Sequence, residues 1–207
     1  MKGNLWIPLL LLPCLLLAEE YRFSGDRSFS VIREGAEETR IEGNVAIRSS
    51  ERNIQADQVS ILGKKEKEFQ GSGHVKIEDL ARNMLLEADR FSFIEETSYL
   101  ILRGNAVLED RDHEILVKCS RLEYFQDEEL AVMQLNVRIF KDDILCRAEY
   151  ARYYRDRELL ELSGSPLVFR GEDRFEADRI EVYLDSDEII MYGEITGSME
   201  TGEEDGQ

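Results

Sequence analysis

The sequence predicts an all-β protein, an antiparallel β-jelly-roll or solenoid built from repeats of about thirty residues. A glycine recurs in similar surroundings as Gly43 in IEGNVAI, Gly73 in GSGHVKI, Gly104 in LRGNAVL, Gly164 in LSGSPLV and Gly193 in MYGEITG. A degenerate copy, QLNVRIF, puts Leu135 in the same place, and the successive spacings are 30, 31, 31, 29 and 29 residues. Around each position apolar and polar residues alternate, the period of a strand with one buried face, while helical periodicity is nearly absent.

The chain opens with MKGNLWIPLLLLPCLLLAEE, one Lys followed by an apolar run from Leu5 to Ala18. That run is too short to span a bilayer comfortably and fits the core of a secretory signal, so residues 1–18 are expected to be a signal peptide cleaved after Ala18. An uncleaved membrane anchor and lipidation at Cys14 stay open. Residues 19–198 are expected to form a single domain. Its first element, FSGDRSFSV within Tyr21–Val31, has the form of a leading half-repeat with Gly25-Asp26 at its joint.

Each later repeat begins with an alternating strand. Phe69, Gly71, Gly73, Val75 and Ile77 share one face, as do Leu100, Leu102, Gly104, Ala106 and Leu108. Ala131, Met133, Leu135, Val137 and Ile139 repeat the pattern, followed by Leu160, Leu162, Gly164, Pro166 and Val168. The second half of each repeat is an Ala-Asp stretch in which the alternation slips by one residue. The apolar set is Ile54, Ala56, Val59, Ile61 in one copy and Leu86, Ala88, Phe91, Phe93 in the next. Val117, Cys119, Leu122, Tyr124, then Cys146, Ala148, Ala151, Tyr153, and finally Phe175, Ala177, Ile180, Val182 keep the same step. A slip of one residue turns a strand's inner face outward unless a bulge or corner absorbs it. Ala56-Asp57, Ala88-Asp89 and Ala177-Asp178 are therefore expected to be structural corners, with Ser120 and Glu149 as the variants. An acceptor there can take a backbone N–H that the ladder loses. The last stretch, residues 199–207, is acidic without a core face and is expected to be a disordered tail.

Composition narrows the function. With 43% hydrophobic and 34% charged residues the chain is an ordinary folding sequence. Its net charge of −18 leaves no basic stripe to displace counterions, which excludes nucleic acid as a partner. Asp57, Asp89 and Asp178 occupy one position in successive repeats, which is the behaviour of scaffolding and not of an acid–base pair with split pKa values. His74 and His113 have no Cys or acid at ligand spacing, and no phosphate loop or nucleophile motif occurs. No catalytic residue, metal site or cofactor is expected. Cys119 and Cys146 fall on apolar faces and read as buried thiols, although an exported location would permit a disulfide between them.

The inner apolar face is the candidate binding surface: Ile54, Val59, Ile61, Phe69, Leu86, Phe91, Phe93, Leu122, Tyr124, Met133, Phe175, Ile180 and Val182. Either these residues pack as a core, or two layers that do not close fully leave them lining a lipid-sized groove.

The unit Gly-x-Val followed by Ala-Asp and an alternating strand resembles the OstA-like repeat of the LptA family, shared with LptC and the periplasmic domain of LptD. IEGNVAI with IQADQVSI, LRGNAVLED and FSGDRSFSV carry the resemblance, which covers nearly all of Tyr21–Ser198. Leu135 in place of Gly, and Ser120 and Glu149 in place of Asp, depart from it. It implies a non-enzymatic periplasmic bridge whose apolar interior shields the acyl chains of lipopolysaccharide or a related glycolipid between the two membranes. The implied partners are other OstA-like domains, LptC-like or LptD-like, joined by edge-strand pairing, and a head-to-tail homo-oligomer is possible. An LptC-like membrane-anchored component, or a structural β-solenoid that polymerises end to end without lipid, are the alternatives.

Overall fold

The structure, a computed structural model, describes residues 21–33, 36–63 and 67–199. The expected signal at 1–18, and all of the expected tail except Met199, lie outside the described residues.

The described chain is antiparallel β throughout. In order the strands are β1 (Arg22–Ser24), β2 (Arg27–Arg33), β3 (Ala36–Arg48), β4 (Arg52–Leu62), β5 (Glu68–Asp79) and β6 (Met84–Ile94). They continue with β7 (Tyr99–Asp110), β8 (Ile115–Phe125), β9 (Leu130–Lys141), β10 (Ile144–Tyr154) and β11 (Leu159–Ser163). The last are β12 (Leu167–Arg170), β13 (Asp173–Glu176), β14 (Arg179–Tyr183), β15 (Glu188–Tyr192) and β16 (Thr196–Ser198). All belong to one continuous sheet.

From β3 to β10 the chain is a meander, each strand pairing with the next, and every one of these ladders breaks register near its middle. The break divides the sheet into two layers that face each other. One layer holds the segments on the Arg48, Arg52 and Asp79 side of the breaks, and the other those on the Leu62, Glu68 and Ile94 side. Beyond β10 the division becomes complete: β12 pairs with Ile144–Arg147 and leads to β13 and β16, while β11 pairs with Tyr150–Tyr154 and leads to β14 and β15. At the other end β1 and β2 cover the two halves of β3.

The corner itself combines two devices. In the β6–β7–β8 set, Arg103 pairs with Arg121 and Ala106 with Cys119, so Gly104 and Asn105 stand opposite the single residue Ser120. The inserted residue thus sits on the glycine strand, and the Ala-Asp strand takes the short side of the bend. Gly104 and Asn105 both have positive φ, +77° and +48°, a left-handed pair that only Gly followed by Asn-like residues accepts at low cost. On its other side Gly104 lies over Asp89, where a Cβ would come within 2.9 Å of the carboxylate Cγ. The Asp89 carboxylate in turn accepts a hydrogen bond of 3.1 Å from the Asn105 side chain. Asn44 donates likewise to Asp26 at 3.0 Å, and His74 Nδ1 pairs with Asp57 at 2.9 Å. Only at Asp178 does the acid take a backbone donor, the Glu194 N–H at 3.3 Å, so side chains do most of what was expected of a freed backbone group.

Two of the three departures from the repeat, Leu135 and Ser120, occur together. Leu135 has a φ of +65° and is exposed, and the residue facing its bulge across the β8–β9 ladder is Ser120, the shortest of the corner acceptors. A side chain replaces the glycine where no carboxylate projects over it.

Two stability measurements check this account. Gly104→Ala is expected to cost about 2–3 kcal/mol through backbone strain and the Asp89 clash. In an Asp89→Ser background that cost should fall by about 1 kcal/mol, a coupling that urea denaturation of the four variants measures and that strict additivity would contradict. Leu135→Gly, which relieves a left-handed leucine, is expected to raise stability by up to about 1 kcal/mol.

Candidate functional site

The inner faces of the two layers meet in a single apolar core. Of the residues expected on that face, Val59, Leu86, Leu122, Met133, Ile180 and Val182 are wholly inaccessible to solvent, and Ile54, Phe69 and Tyr124 are 1% exposed. Phe91, Phe93 and Phe175 are also buried, while Ile61 is partly buried against the same core. The corner residues Ala56 and Ala88 face inward, Ala177 is half-buried, and Asp57, Asp89 and Asp178 are exposed on the outer side of the bend. Side chains this inaccessible touch one another and leave no water-wide lumen between them. In this conformation the core reading holds: acyl chains reach the inner face only if the layers move apart. Rings span the core, with Phe69 centred 5.0 Å from Tyr21 and 6.1 Å from Phe93. Phe169 points away from the core and is half-buried, with the Arg147 guanidinium 5.7 Å from its ring centre.

Cys119 and Cys146 are buried and free. Burial pushes the Cys119 thiol up to about 11 and the Cys146 thiol up to about 12. Neither forms a disulfide.

Sequence reasoning missed the polar seam where the free ends of the two layers meet. Asp110 is fully buried there. It accepts hydrogen bonds from Arg155 Nε at 2.8 Å and the Tyr153 hydroxyl at 3.0 Å, and pairs with His113 Nδ1 at 2.9 Å. Arg155 also donates to Asp112 at 3.0 Å and to the Arg82 carbonyl at 3.2 Å. Arg82 pairs with buried Asp79 and donates to the Gln126 carbonyl, while Arg52 donates to the Gln126 side chain at 3.2 Å. Arg52 further lies 4.1 Å above the Phe93 ring. Burial pushes the Asp110 carboxyl up, but hydrogen bonds and charge from Arg155 and His113 more than offset this and hold it below its ordinary value. Arg155 is raised in turn, because the Asp110 contacts outweigh its own desolvation.

The signal was present in the sequence. Asp79 continues the inward frame of Val75 and Ile77, Asp110 that of Ala106 and Leu108, Gln126 that of Leu122 and Tyr124, and Arg155 that of Ala151 and Tyr153. A polar residue at an inward position beside a turn marks where one layer's end meets the other. His113, set aside for lack of ligand spacing, meets Asp110 within its own turn and is brought by this closure to within 3.9 Å of Glu158. Among the described residues no group of three or more His, Cys, Asp or Glu could hold a metal ion.

The strand edges at the two ends are the other exposed feature. Among the described residues β1 and β2 pair only with β3, β15 only with β14 and β16 only with β13. Phe23, Phe29 and Val31 are about half exposed at one end, and Tyr192 and Ile195 at the other.

Two outcomes are expected from these environments. A thiol reagent at pH 8 should leave Cys119 and Cys146 unmodified in the native protein and label both after unfolding. A carboxylate held below its unfolded value stabilises the fold above that value and loses the contribution as pH falls through its folded one. Asp110→Asn should therefore flatten the acid limb of the stability–pH curve. At pH 7, where it leaves Arg155 poorly compensated, it should cost about 3 kcal/mol by urea denaturation.

Among the described residues no helix is long and apolar enough to cross a membrane. No curated protein matches the sequence. Of solved structures, the chain is similar to LptH from Pseudomonas aeruginosa, described as the LptA-homologous periplasmic component of the lipopolysaccharide transport device. The identity is 8%, 88% of this chain and 96% of that one are covered, and the TM-score is 0.28. A family model described as LptA/(LptD N-terminal domain) LPS transport protein matches residues 30–130, the segment that holds Gly43, Gly73 and Gly104 together with Asp57 and Asp89. Residues 30–130, with their recurring corners and all-antiparallel repeat, are similar to the LptA and LptD N-terminal domain family.

Proposed function

We propose that this protein is a non-enzymatic periplasmic component of lipopolysaccharide transport, a bridge element that carries the acyl chains of lipopolysaccharide or a related glycolipid along its inner face. The observation that carries the reading is the match of residues 30–130 to a lipopolysaccharide-transport family model. The continuous apolar face that runs from β3 to β14 supports it. No nucleotide motif occurs in the sequence, so direction of transport comes from an energised partner. The half-paired edges at β1–β2 and β15–β16 are suited to strand addition by other OstA-like domains, LptC-like or LptD-like, or by further copies of the chain. Export by residues 1–18 puts the protein in the periplasm, and an LptC-like anchored form differs only in retaining that segment. N-terminal sequencing of the exported protein separates the two, since an intact Met1 in the membrane fraction means an anchor.

One observation favours a second reading. The closed packing of the inner face suits a structural β-solenoid that polymerises through its edges and binds no lipid. A photoreactive amino acid in place of Phe91 or Leu122 discriminates between them. In growing cells the transport reading expects a glycolipid adduct at both positions and none at an outward position such as Ser92. Absence of any adduct at the inner positions favours the structural polymer.

A further inference from the structure

A carrier with a packed interior needs a place where its layers part, and the two long borders between the layers differ in construction. At the corner the backbone is continuous, because each strand from β3 to β10 runs through the bend. A headgroup cannot pass there. At the opposite border the described hydrogen bonds divide by kind. Backbone-to-backbone bonds run along the border within one layer: Leu80 N–H to Glu51, Arg111 to Asn83, Gln126 to Ser98 and Arg155 to Glu129. Those that cross between layers all use a side chain, as Arg52 to Gln126, Arg82 to Gln126 and Arg155 to Asp110 do.

Between turn 80–83, with Arg52 beside it, and turn 126–129 two side-chain bonds, both to Gln126, make the crossing. A cleft of about 480 Å³ opens there, bordered by Arg52, Ala81, Arg82, Gln126 and Asp127. Among the described residues the buried side-chain polar atoms without a hydrogen-bond partner are Nε of Arg52, Nε of Arg82 and the Tyr124 hydroxyl. The two arginines border this cleft, and Tyr124 feels the charges of Arg82 and Asp79 beside it. Closing the seam strips water from these three atoms and supplies nothing in return, so opening it restores their hydration.

We infer that the acyl chains of a lipid pass between the layers at this polar seam, with Arg52, Arg82 and Gln126 as the latch and the left-handed Gly and Asn-like corner residues as the hinge. The inference rests on the lipid-carrying reading above. The chains lie between the parted inner faces while the polar headgroup stays outside, against the charged ends of the strands. Backbone pairing within each layer is untouched, because only side-chain bonds cross the line of parting.

The test uses the full chain with purified lipopolysaccharide as probe and a photoreactive residue at position 91. Ala81→Cys and Asp127→Cys, both exposed on opposite rims of the cleft, are bridged with a short bismaleimide. Cys14 is replaced by Ser throughout, and buried Cys119 and Cys146 stay out of the reaction. Glu51→Cys with Asp127→Cys supplies a second bridge should the first pair fail to fold. Bridging is expected to lower the lipid adduct at least tenfold. The same reagent on either single-cysteine variant, or a bridge within one layer between the paired positions Lys76→Cys and Glu87→Cys, should leave it unchanged. Equal adduct in bridged and unbridged protein overturns the seam and leaves the lipid reading standing. No adduct in the unbridged protein overturns both.

Discussion

A paired sheet can enclose its own apolar face only if every ladder bends at the same level without orphaning its backbone groups. In this protein that constraint is met by one repeated contact, a left-handed Gly and Asn-like pair on one strand laid over a carboxylate on the strand before. Gly104 accepts the φ of +77° and makes room for Asp89, and Asn105 donates to that same carboxylate. The layers and the buried face follow from stacking this corner at thirty-residue intervals. At Leu135 both halves of the contact change, the acid becoming Ser120, while Gly164 is kept over Glu149. The bend tolerates a side chain or a carboxylate at that level, but not both.

The two borders of the enclosed core are opposites in chemistry. The corner is covalent and fixed by sterics. The seam is closed by ion pairs and hydrogen bonds between side chains, with a fully buried Asp110 held by Arg155, His113 and Tyr153 at its firmest point. Buried ion pairs add little net stability but cost heavily when one partner is lost, so they specify how the layers close more than they strengthen the closure. A structure that must both exclude water and admit an apolar guest gains from that division. One border acts as a hinge, and the other can be broken without unpairing a strand.

Much of this was legible in the sequence, for a physical reason. A repeat writes each local requirement five or six times, and the glycines at Gly43, Gly73, Gly104, Gly164 and Gly193, with the slip after Ala56, Ala88 and Ala177, specified both the corner and the inward set. The strand that carries the inserted residue was not legible, because periodicity records that two frames differ and not which backbone bulges. The seam was missed for a different reason. Asp79, Asp110, Gln126 and Arg155 belong to different repeats and meet only after the sheet has closed, so no spacing along the chain joins them. Their shared mark, polarity at an inward position next to a turn, is readable once both layers are known to end there.

The account's central claim is that the inner face is a binding surface for acyl chains as well as a core. Methyl NMR of the full chain with a lipopolysaccharide bearing a spin label in one acyl chain tests it most directly. The account predicts paramagnetic broadening of the methyl signals of Val59, Leu86 and Leu122, which are fully buried, with Leu80 and Leu135 on the exposed surface unaffected. Broadening confined to Leu80 and Leu135, with the three inner residues sharp at saturating lipid, would contradict it.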